Sequence, residues 1–391
     1  MESTNYIVIT ASGKPVFSVH GSEEEILQYA AIIQAIVAFF EESSNALHSF
    51  KSEGTLFVVS CQFPLILIAI DKLQQSQLQL KTNLDILHAQ ILSTLTKTQL
   101  TRAYTTKPNR DLRPLLKGTE KFLDALSISM QKCDPGLWLG AIESLPVRKH
   151  TRQQLHQILT QAHNPQVLYG MIISDKRLVA VIRPRRHSLH PPDLFLVFSM
   201  LFNTTSFVEG EHWIPICFPK FNSQGFLHCY TQFLTEGTAL VLVSTLRDAF
   251  FDLQGVANKL KDAHIGKLID GLDGKRIVME DIHASSILHF IYKSKRSVQF
   301  VQSTPLPDER QHRDLMLEYK RIQAFVQDNK LSVCHSQWSG STVLVWFAPG
   351  FELYCVASST PTNILNQDLR KLISWIKKHE ERLFIVSGAT Y

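Results

Sequence analysis

The stretch YIVITASGKPVFSVHGSEEEILQYAAIIQAIVAFFEES, residues 6–43, decides how the rest of the chain is read. YIVIT and PVFSV are short apolar runs separated by Ala11-Ser12-Gly13-Lys14, and two such runs around a glycine-containing turn predict a β-hairpin. Gly13-Lys14 is followed by proline rather than by Ser/Thr and a helix, so the turn is not a phosphate loop. An uninterrupted helical pattern follows. It opens at Ser22, a good N-cap, with Glu23, Glu24 and Glu25 in the first turn, where carboxylates complement the helix dipole.

Three more strand candidates come next, ALHSF, GTLFVVS and PLILIAI, and QSQLQLKTNLDILHAQILSTL supplies a closing helix. The same order of elements then recurs. QVLYGMIIS and RLVAVIR form a hairpin around Asp175-Lys176, and DLFLVFSMLF is a helix. WIPICF, GFLHCYTQF and TALVLVS are strands, and DAFFDLQGVANKLKDA closes the second unit. In the last third, HFIYKS and VQFVQS pair around Lys295-Arg296, and DERQHRDLMLEYKRIQAFVQD is a helix. LSVCHSQW, STVLVWFA and FELYCVASS are strands before the final helix NILNQDLRKLISWIKKHEERLF. Each unit is ββαβββα. That order predicts an α+β fold: three antiparallel five-stranded sheets with helices on their faces. The expected boundaries are 1–96, a helical linker at 97–165 broken by Pro108, Pro114, Pro135 and Pro146, then 166–275 and 276–391.

Composition fits several globular domains. The 391 residues are 45% hydrophobic and 19% charged, too long for one core and too apolar for a disordered chain. A net charge of +5 suits an anionic surface but falls short of a dedicated nucleic-acid binder. The six cysteines form no CxxC pair and sit mostly in apolar runs, which reads as reduced thiols of a cytoplasmic protein. No signal peptide opens the chain and no stretch is apolar enough to span a bilayer, so any membrane role is expected to be peripheral. GxxxxGK[ST], GxSxG, HExxH and GxGxxG are all absent. The cluster RRHSLHPPD (185–193) lacks metal-ligand spacing. Its second half is a helix start, with proline and Asp193 in the first turn. No catalytic residue, metal ligand or cofactor is expected.

The ββαβββα order, used three times, resembles the longin/roadblock class of domains. GKPVFSVHGSEEE, NRDLRPLLKGTEKFLDAL through PGLWLGAIESLP, HSLHPPDLFLVF, WIPICFPKFNSQGFLHCY, STLRDAFFDL, FIYKSK and WIKKHEERLFIV together resemble the Mon/SAND family of vacuolar-fusion subunits. The resemblance runs from about Tyr6 to Tyr391, with the motifs in family order. It implies a subunit that pairs with a Ccz-type longin protein and opens a late-endosomal Rab-seven (Ypt-seven) type GTPase as a guanine-nucleotide exchange factor. It further implies recruitment by an early-endosomal Rab and a phosphoinositide membrane surface, with room for a third regulatory subunit. Location would be cytoplasmic, peripherally on endosome and vacuole or lysosome membranes, in endosome maturation and autophagy. Members carry a long polar segment ahead of the first strand, whereas Met1 almost abuts it here. A rival of another class is a non-catalytic longin-type adaptor for SNARE or cargo segments.

Two surfaces are candidates. In the first helix, Ile26, Tyr29, Ala30, Ile33, Ile36, Val37 and Phe40 form one apolar face at 100° per residue, enough to cover a sheet. Leu27, Ala31, Ile32, Ala35, Ala38 and Phe39 form a second on nearly the opposite side. Either the chain's own domains cover this second face, or another protein does, with the alanines admitting a partner backbone. By resemblance it is the platform for the partner subunit and the GTPase, beside Glu41 and Glu42, which otherwise read as a solvated helix end. The second surface is basic: Lys176, Arg177, Arg183, Arg185 and Arg186 around one hairpin, and Lys293, Lys295 and Arg296 at the matching hairpin. These are either solvated loops or contacts to anionic lipid headgroups.

Overall fold

The architecture comes from a computed structural model describing residues 4–72, 75–108, 111–185, 189–204, 207–263, 265–270, 272, 276–359, 361–386 and 389–390. The first repeat runs β1 (Asn5–Thr10), β2 (Pro15–Ser18), α1 (Glu23–Glu42), β3 (Ser49–Ser52), β4 (Thr55–Gln62), β5 (Leu65–Asp71) and α2 (Gln77–Thr94). A mostly helical segment follows: α3 (Lys97–Thr106), α4 (Arg113–Leu116), α5 (Glu120–Gln131), α6 (Pro135–Leu139), β6 (Ile142–Glu143) and α7 (Lys149–Ala162). The second repeat is β7 (Tyr169–Ser174), β8 (Arg177–Arg183), α8 (Pro191–Phe202), β9 (Glu211–Phe218), α9 (Pro219–Asn222), β10 (Ser223–Phe233), β11 (Thr238–Ser244), α10 (Phe250–Asp262) and α11 (Ile265–Ile269). A 3-10 turn at Met279–Ile282 leads into β12 (Ile287–Ser294), β13 (Gln299–Gln302), α12 (Glu309–Asp328), β14 (Val333–Trp338), β15 (Ser341–Phe347), β16 (Phe351–Ser358), α13 (Thr362–Lys378), α14 (Glu380–Leu383) and β17 (Ala389–Thr390).

The three sheets share one topology. Their strand orders are β2-β1-β5-β4-β3, β8-β7-β11-β10-β9 and β13-β12-β16-β15-β14, with antiparallel pairing among β1–β5, among β7, β8, β10 and β11, and among β12–β16. The α+β reading of three ββαβββα repeats therefore holds. The period of two along β1 and β5 explains how one sheet carries helices on both faces. Ile7, Ile9, Ile66, Ile68 and Ile70 meet Ala30, Ile33 and Val37 of α1. Tyr6, Val8, Leu65, Leu67 and Ala69 meet Leu80, Leu84, Leu87 and Ile91 of α2.

Two short strands depart from the expected five per sheet. β6, which precedes the second repeat, pairs parallel with β13 of the third sheet. β17, which follows the third repeat, pairs parallel with β8 of the second. The segment 97–165 does not stand apart as a spacer. Leu123, Leu126 and Met130 of α5 join the first core, and Leu155 and Leu159 of α7 join the second.

The chain divides into two compact bodies. One holds Met1–Trp138, Phe195–Asn203 and Ile216–Phe226; the other holds Leu139–Leu194, Thr204–Pro215 and Leu227–Tyr391. Among the described residues, no helix is long and apolar enough to cross a membrane.

Candidate functional site

Helix α1 starts at a capping box. The Glu25 amide donates to Ser22 Oγ at 3.3 Å, and the Ser22 amide donates to the Glu25 carboxylate at 2.8 Å. The inner face is buried at Ala30, Ile33 and Val37, with Ile26, Ile36 and Phe40 packed partly against the same core. Tyr29, counted with that face, sits at its margin, 38% exposed, with its ring 6.3 Å from that of Phe57.

The outer face is open. Leu27 is 48%, Ile32 57% and Phe39 68% exposed, and Ala31, Ala35 and Ala38 are exposed between them. Within the body that holds α1, no described residue covers this stripe. At the helix end, Glu41 and Glu42 are exposed. The last turn contains no basic residue. Carboxylates at a helix C-terminus oppose the dipole, a local cost of a few tenths of a kcal/mol. Cys61 of β4 reaches the surface but is partly shielded by its neighbours, and that shielding first, then the nearby Glu41 charge, pushes its thiol pKa up.

The basic residues are divided differently from their sequence grouping. Lys176 and Arg177 lie at one end of β8 and Arg183 and Arg185 at the other, roughly 20 Å apart at strand spacing. Arg177 is 1% exposed and pairs with Asp175 at 3.3 Å, which removes it from any lipid-facing patch. Burial, and then the Arg276 charge, pulls its pKa down. Lys293 is likewise committed inside, donating to the Glu352 carboxylate at 3.2 Å. Lys295 donates to the Ala348 carbonyl at 2.9 Å while its stem stays exposed. Arg186 lies outside the described residues. Lys176, Arg185 and Arg296 are exposed and Arg183 is half-buried.

In place of two separate clusters, the structure brings Arg183 and Arg296 together. They line one cavity of about 440 Å³ with His190, Ser294, Gln299, Glu380 and an apolar floor that includes Tyr169 and Phe384. Pro146, Arg148, Arg276 and Arg382 line a second cavity of about 400 Å³. The sequence reading missed this grouping, because its arginines come from three distant segments. It also missed Arg152. That guanidinium is buried and donates to the carbonyls of Leu145 at 2.6 Å, Phe384 at 2.7 Å and Glu381 at 2.9 Å. Burial lowers its pKa to about 10. One signal was available: Arg152 lies three residues before Leu155, on the apolar stripe of α7. Among the described residues, no group of three or more His, Cys, Asp or Glu side chains is placed to hold a metal ion.

Comparison with known proteins identifies the three repeats. The first, second and third longin domains of FUZ, MON1 and HPS1 match residues 4–126, 165–261 and 286–380. Vacuolar fusion protein MON1 of Yarrowia lipolytica is 39% identical over 404 aligned residues, covering 99% of this chain and 74% of that protein. Vacuolar fusion protein MON1 homolog A of Gallus gallus is 32% identical, covering 100% and 73%. The human homolog A is 33% identical, covering 100% and 62%. With three longin domains in order and this identity along its whole length, the chain belongs to the MON1 family.

Proposed function

We propose that the chain acts in vacuole-fusion trafficking as one subunit of a heterodimeric guanine-nucleotide exchange factor. The second subunit is a Ccz-type longin protein, and the substrate is a Rab-seven type GTPase of late endosomes and vacuoles. The observation that carries this reading is the open stripe Leu27, Ala31, Ile32, Ala35, Ala38 and Phe39. Its three alanines let a second backbone approach closely, and its large apolar residues supply burial at roughly 25 cal/mol per Å². Glu41 and Glu42 sit where the stripe ends. In this reading they engage a basic switch residue of the GTPase. Exchange of this kind requires no proton transfer or covalent step. It stabilises an open, nucleotide-poor state of the GTPase, so the subunit has no chemical active site of its own.

Membrane recruitment in this scheme uses Lys176, Arg183, Arg185, Lys295 and Arg296 on a phosphoinositide surface, with an early-endosomal Rab and a third regulatory subunit as further partners. Arg177 and Lys293 take no part, being held inside. The test is release of a fluorescent guanine nucleotide from the GTPase. The chain and its Ccz partner together accelerate release, and neither does so alone. Release at the intrinsic rate with both subunits present would replace this reading with that of a non-catalytic adaptor.

A further inference from the structure

We propose that Arg148, Arg276 and Arg382 form a binding site for a small polyanion that carries phosphate groups. The three arginines and Pro146 line a cavity of about 400 Å³. All four belong to one compact body, although they come from distant segments of the chain. Among the described residues, no acidic side chain lines this cavity. Three cations around one space repel each other, and a cleft lined by one sign of charge concentrates ions of the other. The cavity shared by Arg183 and Arg296 is different in kind. It also holds Glu380 and an apolar floor, whereas here Pro146 is the one lining residue besides the arginines.

The guanidiniums are open to a ligand. Among the described residues, neither Arg148 nor Arg382 makes a side-chain hydrogen bond or ion pair. Arg276 gives Nη1 to the Glu143 carboxylate at 3.2 Å, which leaves most of its N–H donors uncommitted. The backbone that carries them is fixed. The Val147 amide donates to the Arg382 carbonyl at 3.0 Å, and the buried Arg152 ties Leu145 to Glu381 and Phe384. Next to Arg276, the Ile277 carbonyl accepts from the Thr304 amide at 2.9 Å. Glu143 is held on its other oxygen by Gln302 Nε2 at 3.1 Å. A preformed site of this kind loses little chain entropy on binding.

Arg148 is also the N-cap of α7, a helix of 14 residues with no side-chain cap and no acid in its first turn. Its first amides add uncapped donors and the positive end of the helix dipole to the same margin. Phosphate answers this set. Its oxygens take paired hydrogen bonds from planar guanidiniums, and each monoester group brings about two negative charges at neutral pH. The volume is at the small end for ligand pockets, which suits a compact molecule rather than an extended chain. Lipid headgroups share this chemistry, but the lack of an apolar floor for an acyl tail points to a soluble source.

The test is calorimetric titration of the full chain with pyrophosphate. Binding should be saturable, and hydrogen exchange should slow over 147–151 and 381–384. Arg148→Ser with Arg382→Ser should weaken affinity at least about tenfold. Both residues are exposed, so the unliganded Tm should match that of the parent. Arg276 is kept, because its removal would strand the Glu143 carboxylate. Lys51→Ser with Lys330→Ser removes the same charge from exposed positions outside the cavity and should leave affinity unchanged. Malonate, a dicarboxylate of similar size, should bind at least about tenfold more weakly. Unchanged binding in the arginine pair, an equal loss in the lysine pair, or equal affinity for malonate overturns the proposal. So does the absence of saturable binding. Attachment seen only on vesicles bearing phosphatidylinositol phosphates, with none of pyrophosphate, assigns the arginines to a membrane and also overturns it.

Discussion

Arg152 Nη1 donates to the carbonyl oxygen of Phe384, 232 positions later in the chain, at 2.7 Å. The same guanidinium holds Leu145 and Glu381, so one buried cation fixes the start of α7 to the turn after α13. Arg152→Met removes the charge and leaves three carbonyls without their donor. A loss of about 4 kcal/mol is expected. Urea denaturation followed by tryptophan fluorescence measures it, and a midpoint within error of the parent would show that the guanidinium is not a tie.

Ser22→Ala removes one half of the capping box while leaving the sheet untouched. The expected cost is about 1 kcal/mol. Hydrogen exchange should locate the effect, as faster exchange in the first turn of α1.

Ala35→Arg and Ala38→Asp test the open face directly. Both positions are exposed, so folding stability should stay within about 0.5 kcal/mol of the parent. Co-purification with the Ccz partner should be lost, and nucleotide exchange with it. Assembly at parental yield would show that the stripe is not the subunit platform.

Stability should fall with acidity, and His289 should account for a defined share of the fall. Burial, and then the His312 charge, holds its imidazole pKa down at about 3. An exposed histidine in the unfolded chain titrates near about 6.5. Below that value the unfolded state binds the proton and the folded state does not, so stability present at neutral pH drains away as the pH falls toward the folded value. Between pH 7 and pH 5 the His289 share is about 2 kcal/mol. His88 and His156, lowered to about 4, contribute with the same sign. His289→Asn should reduce the difference between denaturation midpoints at pH 7 and pH 5 by its share alone. An identical pH slope in that variant would rule out His289 as a source.

Thiol labelling gives an independent footprint of the platform. Cys61 is exposed on β4, whereas Cys133, Cys217, Cys229 and Cys355 are buried, and burial raises the Cys355 pKa to about 12. Mass spectrometry after brief N-ethylmaleimide treatment should find Cys61 modified well before these four. Bound Ccz partner and GTPase should slow that modification, because Glu41 is near enough to influence the thiol. An unaltered rate in the assembled complex would move the interface away from the end of α1.

Much of this was legible in the residues, because both signals involved are local. Periods of two and 3.6 gave the strands and helices of all three repeats, and counting α1 at 100° per residue separated its buried stripe from its open one. The basic patch was legible in content but not in geometry. Arg177 and Arg183 are six residues apart in sequence, yet as opposite ends of one strand they never meet, while Arg183 and Arg296 share a cavity. β6 and β17 carry no readable pattern, being two residues each and chosen by whichever sheet edge lies within reach.

The crossed pairing of β6 and β17 sets an order of events during synthesis. The second sheet waits for a strand encoded after the third domain, and the third sheet is edged by a strand encoded before the second. A ribosome-bound chain that has delivered only the second domain has delivered an unfinished sheet, with the β8 edge unpaired. The two domains are then expected to reach their final form together, late and through long-range contacts that slow folding. A stop codon just ahead of β17 would thus damage the domain in the middle of the chain rather than the one at its end.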